Sequence, residues 1–159
     1  LMLLITDLML LITEKLKYLS TFILMMTSLT EHKNNFKQFL DDINEKIRAN
    51  LLLERQKLIA FATSEAATNI LEYYLHRKNL VSSGTTINHN HFSSEKRASR
   101  TMEFDFPHKK EILDLMVKQE ELRDLLCYGK EKQISKVQEA IANVQQLKKI
   151  IEQELGEEL

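Results

Sequence analysis

Apolar residues recur at helical spacing along nearly the whole chain, and one stretch, residues 79–108, interrupts them. Three glycines and one proline among 159 residues leave few points where a helix is forced to stop. Leu, Ile, Lys, Glu and Ala dominate the remainder, a composition that favours helices over sheets. The expected fold is all-α: an up-and-down four-helix bundle with an additional apolar N-terminal helix. A chain of this length is sufficient for one domain with its own core.

The N-terminal segment sets its own constraint. Residues 1–13 read LMLLITDLMLLIT, so LMLLIT occurs twice, seven residues apart. Leu1, Leu4, Leu8 and Leu11 share a helical seam that continues through Tyr18, Phe22, Met25 and Leu29, interrupted by Lys15. Leu3, Ile5, Met9, Leu10 and Ile12 make most of the remaining surface apolar, so this helix requires a core, a partner or a lipid. Asp7, Glu14, Lys15 and Lys17 divide it into pieces shorter than the ~20 largely uncharged residues of a membrane span. No basic region precedes the apolar run, as a signal peptide would require. Residues 1–30 are therefore expected to be an apolar helical segment packed on the domain or in an oligomer, with residues 31–159 forming the bundle.

Within the bundle, Phe36, Leu40, Ile43 and Ile47 trace a stripe over residues 31–49, with Thr30 placed to cap its start. Ile59, Ala62, Ala66, Asn69, Ile70 and Tyr73 do the same over about 51–78, where Ala60, Ala62, Ala66 and Ala67 admit a close neighbour. No Gly or Pro separates these two stretches, so one bent element is also compatible. Ser82, Ser83, Gly84, Asn88 and Asn90 mark the long loop, and Pro107 is placed to open the next helix. Phe92, Phe104 and Phe106 are expected to pin that loop, with a short helix at 93–101. The remaining helices are expected at about 108–128 and 133–155. The last turns Ile134, Val137, Ile141, Val144, Ile151 and Leu155 inward and stops at Gly156.

A net charge of −1 supplies no global attraction to nucleic acid, so any such contact must be local. Lys96, Arg97, Arg100, His108, Lys109 and Lys110 form the densest basic cluster, interleaved with the three loop phenylalanines. Basic side chains neutralise phosphates and exposed aromatics stack on bases. The competing reading is a solvated loop with buried phenylalanines, its charge diluted by Glu95, Glu103 and Asp105. His89 and His91, with His108 and Glu95, offer metal-binding residue types without fixed geometry, and no metal or cofactor is expected. The single Cys127 excludes an intrachain disulfide, suits a reducing cytoplasm and reads as core. Neither a phosphate-cradling glycine loop nor a Gly-x-Ser-x-Gly elbow occurs.

The sharpest motif is Arg123-Asp124-Leu125-Leu126-Cys127-Tyr128-Gly129-Lys130, at the end of the helix carrying Ile112, Leu115, Met116 and Leu122. It resembles the functional segment of HEPN domains, small helical bundles of prokaryotic RNA-cleaving and nucleotide-binding systems. Glu72-Tyr73-Tyr74-Leu75-His76-Arg77-Lys78 resembles the helix end that supports the site in that family. The usual family pattern is Arg, four residues, then His; here Tyr128 stands in the histidine's place. An unperturbed tyrosine titrates near ~10, so Tyr128 is a poor general base at neutral pH. The resemblance implies a cytoplasmic, toxin–antitoxin-type component that binds RNA or a nucleotide as a homodimer, beside a nucleotidyltransferase and without efficient cleavage. It places Arg123 on phosphate and Tyr128 in the catalytic position. Lys130, Lys96, Arg97, Arg100 and Lys109 complete the expected phosphate-binding set. The alternative is a structural helical module for oligomerisation or protein interaction, in which Arg123 only pairs with Glu120 or Asp124.

Overall fold

A computed structural model describes residues 2–82 and 84–159; within the first helix it describes side chains only outside residues 2–8 and 21–28. Among the described residues five α-helices follow in order: α1 (Met2–Arg48), α2 (Gln56–Arg77), α3 (Glu95–Thr101), α4 (Lys109–Cys127) and α5 (Ile134–Leu155). A 3-10 turn, His89–Phe92, interrupts the long connection between α2 and α3. Among the described residues there is no strand. The all-helical class, the short helix near 93–101 and the helix stop at Gly156 agree with the sequence expectation.

Two helix boundaries differ from it. α1 runs unbroken through Thr30, which is not an N-cap. With no Gly or Pro before Arg48, the apolar N-terminal segment and the first bundle helix continue as one rod. The chain then breaks where neither Gly nor Pro stands. Asn50 takes a left-handed φ of 55°, its N–H donates to Ile47 O at 3.0 Å, and Leu51 N–H donates to Lys46 O at 3.0 Å. That is a Schellman closure, with asparagine in the position usually held by glycine. The same device ends α2: Asn79 has φ 55°, and Asn79 and Leu80 donate to His76 O and Leu75 O. Asparagine tolerates this region better than other side chains, and it turns α2 back along α1.

Successive long helices run in opposite directions. His32 on α1 meets Asn69 on α2, and Phe39 meets Phe61. Gln119 on α4 reaches Thr63, and Cys127 reaches Lys57. Asn143 on α5 reaches Leu115, and Lys118 pairs with Glu139. α2 packs against α1, α4 and α5 and is buried almost all round, which its Ala60, Ala62, Ala66 and Ala67 permit. The main core joins Phe36, Ile70, Leu71, Tyr74, Leu75, Ile112, Met116, Val144, Leu147 and Ile151.

The connection from 79 to 108 is pinned as expected: Ile87, Phe92, Met102 and Phe106 are buried in that core, and Phe104 packs against it. Its expected turn residue Ser83 lies outside the described residues. The expected stripes are corrected at their ends, since Ile47 and Ile134 are exposed. Of the N-terminal seam, Leu1, Leu4, Leu8, Phe22 and Met25 lie outside the described side chains. Leu11 and Tyr18 are exposed, together with Met9, Leu10, Ile12, Leu16 and Leu19, while Leu29 is buried. Among the described residues no helix is long and apolar enough to cross a membrane.

A buried polar chain ties three helices at the centre. Gln119 Nε2 donates to Thr63 Oγ1 at 2.9 Å, and Thr63 Oγ1 donates to Ala60 O. Asn143 Nδ2 donates to Gln119 Oε1 at 2.9 Å and to Leu115 O at 2.8 Å. Removing one partner leaves buried acceptors unsatisfied. Asn143→Ala should therefore lower unfolding free energy by about 2 kcal/mol. Gln146→Ala on the exposed face should stay within ~0.5 kcal/mol of the parent. Urea titrations of both variants check this, and equal midpoints would remove the polar chain from the stability account.

A candidate phosphate-binding site near the end of α4

Arg123 lies toward the C-terminal end of α4, just before its last turn. Its side chain is 13% exposed, with Nη1 3.6 Å from Glu120 Oε1 and 3.7 Å from Asp124 Oδ1. Glu120 precedes it by three residues on the same face, the spacing at which helical side chains meet. The sequence-based pairing of Arg123 with Glu120 and Asp124 is present. A third member was not legible: His89 Nδ1 lies 2.8 Å from Glu120 Oε1, across 31 residues of sequence.

Local sequence explains how His89 is delivered. Asn88 caps the 3-10 turn, accepting from Asn90 N–H at 3.0 Å, while Asn88 N–H donates to His91 Nδ1 at 3.3 Å. Phe92 ends the turn and is buried, anchoring it beside α4. His91 therefore serves the turn's backbone, and burial followed by the nearby Arg97 charge pushes its pKa down. A neutral Nδ1 is what that acceptor role requires. Among the described residues no group of three or more His, Cys, Asp or Glu side chains is arranged to hold a metal ion.

Beyond Cys127 the chain becomes extended at Tyr128 (φ −115°, ψ 147°), which ends the helix. Gly129 then adopts φ 80°, a conformation other residues resist. Tyr128 is 63% exposed and Lys130 is exposed, so both flank the helix end without being packed. Cys127 Sγ donates to Lys57 O at 3.6 Å, and burial raises its thiol pKa, the reverse of nucleophilic activation.

The basic cluster is arranged differently from Arg123. Lys96, Arg97 and Arg100 are exposed on α3. Arg97 lies near the 3-10 turn, close enough to act on His91. Lys109 opens α4, roughly 20 Å from Arg123 along the axis at ~1.5 Å rise per residue. Its Nζ donates to Phe104 O at 2.8 Å, and it shares a cleft of about 340 Å³ with Glu95, Asp105 and Asp114. Lys110 is held by Asp114 at 2.6 Å. Phe92 and Phe106 are buried and Phe104 packs on the core, so these rings are committed to packing.

A second polar site emerged only from the fold. Glu31, His32 and Asn35 of α1 face Glu65, Thr68, Asn69 and Glu72 of α2 around an open cleft of about 440 Å³, bordered by the loop from Gly84 to Asn88. Glu72 is buried; its Oε1 accepts from Ile87 N–H at 2.6 Å and its Oε2 lies 3.2 Å from His32 Nδ1. His32 stacks on the buried His76, with ring centroids 5.5 Å apart. Burial raises the Glu72 pKa, with the Ile87 hydrogen bond opposing it. Burial lowers the His76 pKa, aided by His32 and opposed by a backbone hydrogen bond with Thr85.

The chain is thus an all-helical bundle bearing a His–Glu–Arg cluster near one helix end. No family model, curated protein or solved structure matches it.

The two shifts in the polar cavity act oppositely on stability. His76, depressed in the fold, contributes stability above its ordinary value of 6.5 that is lost as pH falls through its folded value. Glu72, raised in the fold, contributes stability below 4.5 that is lost as pH rises through its folded value. On acidification from neutrality, Glu72→Gln should therefore lose stability more steeply than the parent, and His76→Gln less steeply. Urea midpoints across that pH range check it; parallel curves for all three proteins would show that neither group sets the slope.

Proposed function

We propose that this chain is an HEPN-like RNA- or nucleotide-binding component with an up-and-down four-helix core. On this reading it works in the cytoplasm as a homodimer beside a nucleotidyltransferase, in a toxin–antitoxin-type system. Arg123 holds phosphate, Tyr128 assists, and Lys130 with Arg97 and the other α3 cations supplies positive potential. The observation that carries the reading is the state of Arg123. Its guanidinium stands between Glu120 and Asp124 with the side chain still 13% exposed, and exposed Tyr128 and Lys130 stand close in sequence. A guanidinium so placed keeps donors for an oxyanion. With tyrosine in the histidine's place, binding rather than efficient cleavage is the expected activity.

A structural module for helical self-association is the second reading, favoured by the exposed apolar residues of α1 between Met9 and Leu19. It predicts concentration-dependent mass with no affinity for RNA.

Arg123→Ala should weaken retention of labelled single-stranded RNA by on the order of tenfold, the loss expected for one hydrogen bond to a charged group. Helicity should be unchanged. Equal binding by variant and parent would take Arg123 out of the site. Tyr128→His restores the family residue and should raise cleavage of the same labelled strand above the parent's.

A further inference from the structure

Residues 9–20 of α1 are all exposed, and a seven-residue period orders the apolar ones among them. Met9, Ile12, Leu16 and Leu19 follow at steps of three, four and three, each between 45% and 61% exposed. In the sequence the same alternation runs back to Ile5 and Met2 and on to Ile23 and Met26, so eight consecutive positions are apolar. At two positions per heptad that is about three and a half heptads, long enough for a coiled-coil seam.

This seam is not the line that α1 buries in the bundle. Leu29, Phe36 and Ile43 are buried at seven-residue steps, and in the sequence the same steps lead back through Phe22 and Lys15 to Leu8. Met9 and Leu16 each stand one residue after that line, about 100° round the helix from it. No charge falls on the seam, whereas the position opposite it is polar at every repeat: Asp7, Glu14, Thr21 and Ser28.

Period and charge together say what covers it. An apolar line that repeats every seven residues stays on one side only when the helix winds around another helix. A helix resting on lipid carries Lys and Arg on its polar face, but here that face holds Asp7 and Glu14, the wrong sign for an anionic surface. An identical chain presents the same seam, so two copies cover each other. Side chains of this size bury on the order of 100 Å² each. A partner meeting all eight positions covers roughly 800 Å² on each copy, the area of a stable complex.

We propose that a second copy of this chain docks along α1 through the Met9, Ile12, Leu16 and Leu19 seam, the two rods winding into a coiled coil. The inference rests on the self-association reading and names the surface and packing geometry that it uses.

The test follows the mass of the full chain by sedimentation over a range of concentrations. The parent should reach at least twice the chain mass when concentrated and return to a monomer on dilution. Ile12→Glu/Leu19→Glu should raise the concentration of half-association on the order of a hundredfold, because it buries unpaired charge in the seam. Leu11→Glu/Tyr18→Glu, the same change one residue earlier, should leave that concentration nearly unchanged. Equal shifts in the two variants overturn the seam and leave self-association standing. A parent that stays monomeric at every concentration overturns both, and its flotation with phosphatidylcholine–phosphatidylserine vesicles would assign the face to lipid. Hydrogen exchange on the parent needs no variant to fold. The amides of residues 9–20 should exchange more slowly as concentration rises, and rates there that ignore concentration overturn the proposal.

Discussion

The hydrogen-bonded chain from Thr63 through Gln119 to Asn143 fixes how α4 is rotated against α2 and α5. Apolar packing alone tolerates small rotations of a helix, because leucines and valines have no directional demands. Gln119 does not tolerate them: its amide donates toward α2 and accepts from α5, and turning α4 would break both bonds in a buried place. Glu120 is the next residue and Arg123 lies one turn on, so their direction is set by the same constraint. With Gln119 aimed inward, Glu120 is carried to the side where the 3-10 turn delivers His89.

The loop after α2 is the other half of that arrangement. It is long but not loose, because Ile87, Phe92, Met102 and Phe106 are buried along it and Ile87 N–H is bonded to Glu72. Phe92 of the 3-10 turn is therefore spent on the core, and His89 of the same turn meets Glu120 of α4. The phenylalanines that make a nucleic-acid patch plausible on sequence alone are the residues that hold the turn in place. The same aromatic spacing serves burial because the bundle offers α2 and α4 as a floor beneath it.

Helical periodicity made the helices legible, together with the stop at Gly156, since each depends on neighbouring residues. The Asn50 and Asn79 closures were less visible because asparagine takes a left-handed conformation only occasionally, and a reader looking for Gly or Pro passes over it. The ion pair between Arg123 and Glu120 was readable from a three-residue spacing. The approach of His89 was not, because it depends on how a 30-residue connection folds back, and no local pattern encodes that distance. The cavity around His32 and Glu72 escaped for the same reason: its two walls come from facing helices whose register is a property of the fold.

The unbroken α1 has a consequence for cooperativity. Residues 9–20 belong to the same helix as Phe36 and Ile43, yet all are exposed, whereas those two are buried. Isolated helices of about 12–15 residues are marginal in water, because each turn must be maintained without tertiary support. The two parts of α1 therefore differ in local stability although one backbone ladder joins them. Heating should fray the exposed part before the bundle melts. A signal proportional to total helix would then begin to fall while the environments of Tyr74 and Phe92 are still native, and a single melting temperature would average two separate events.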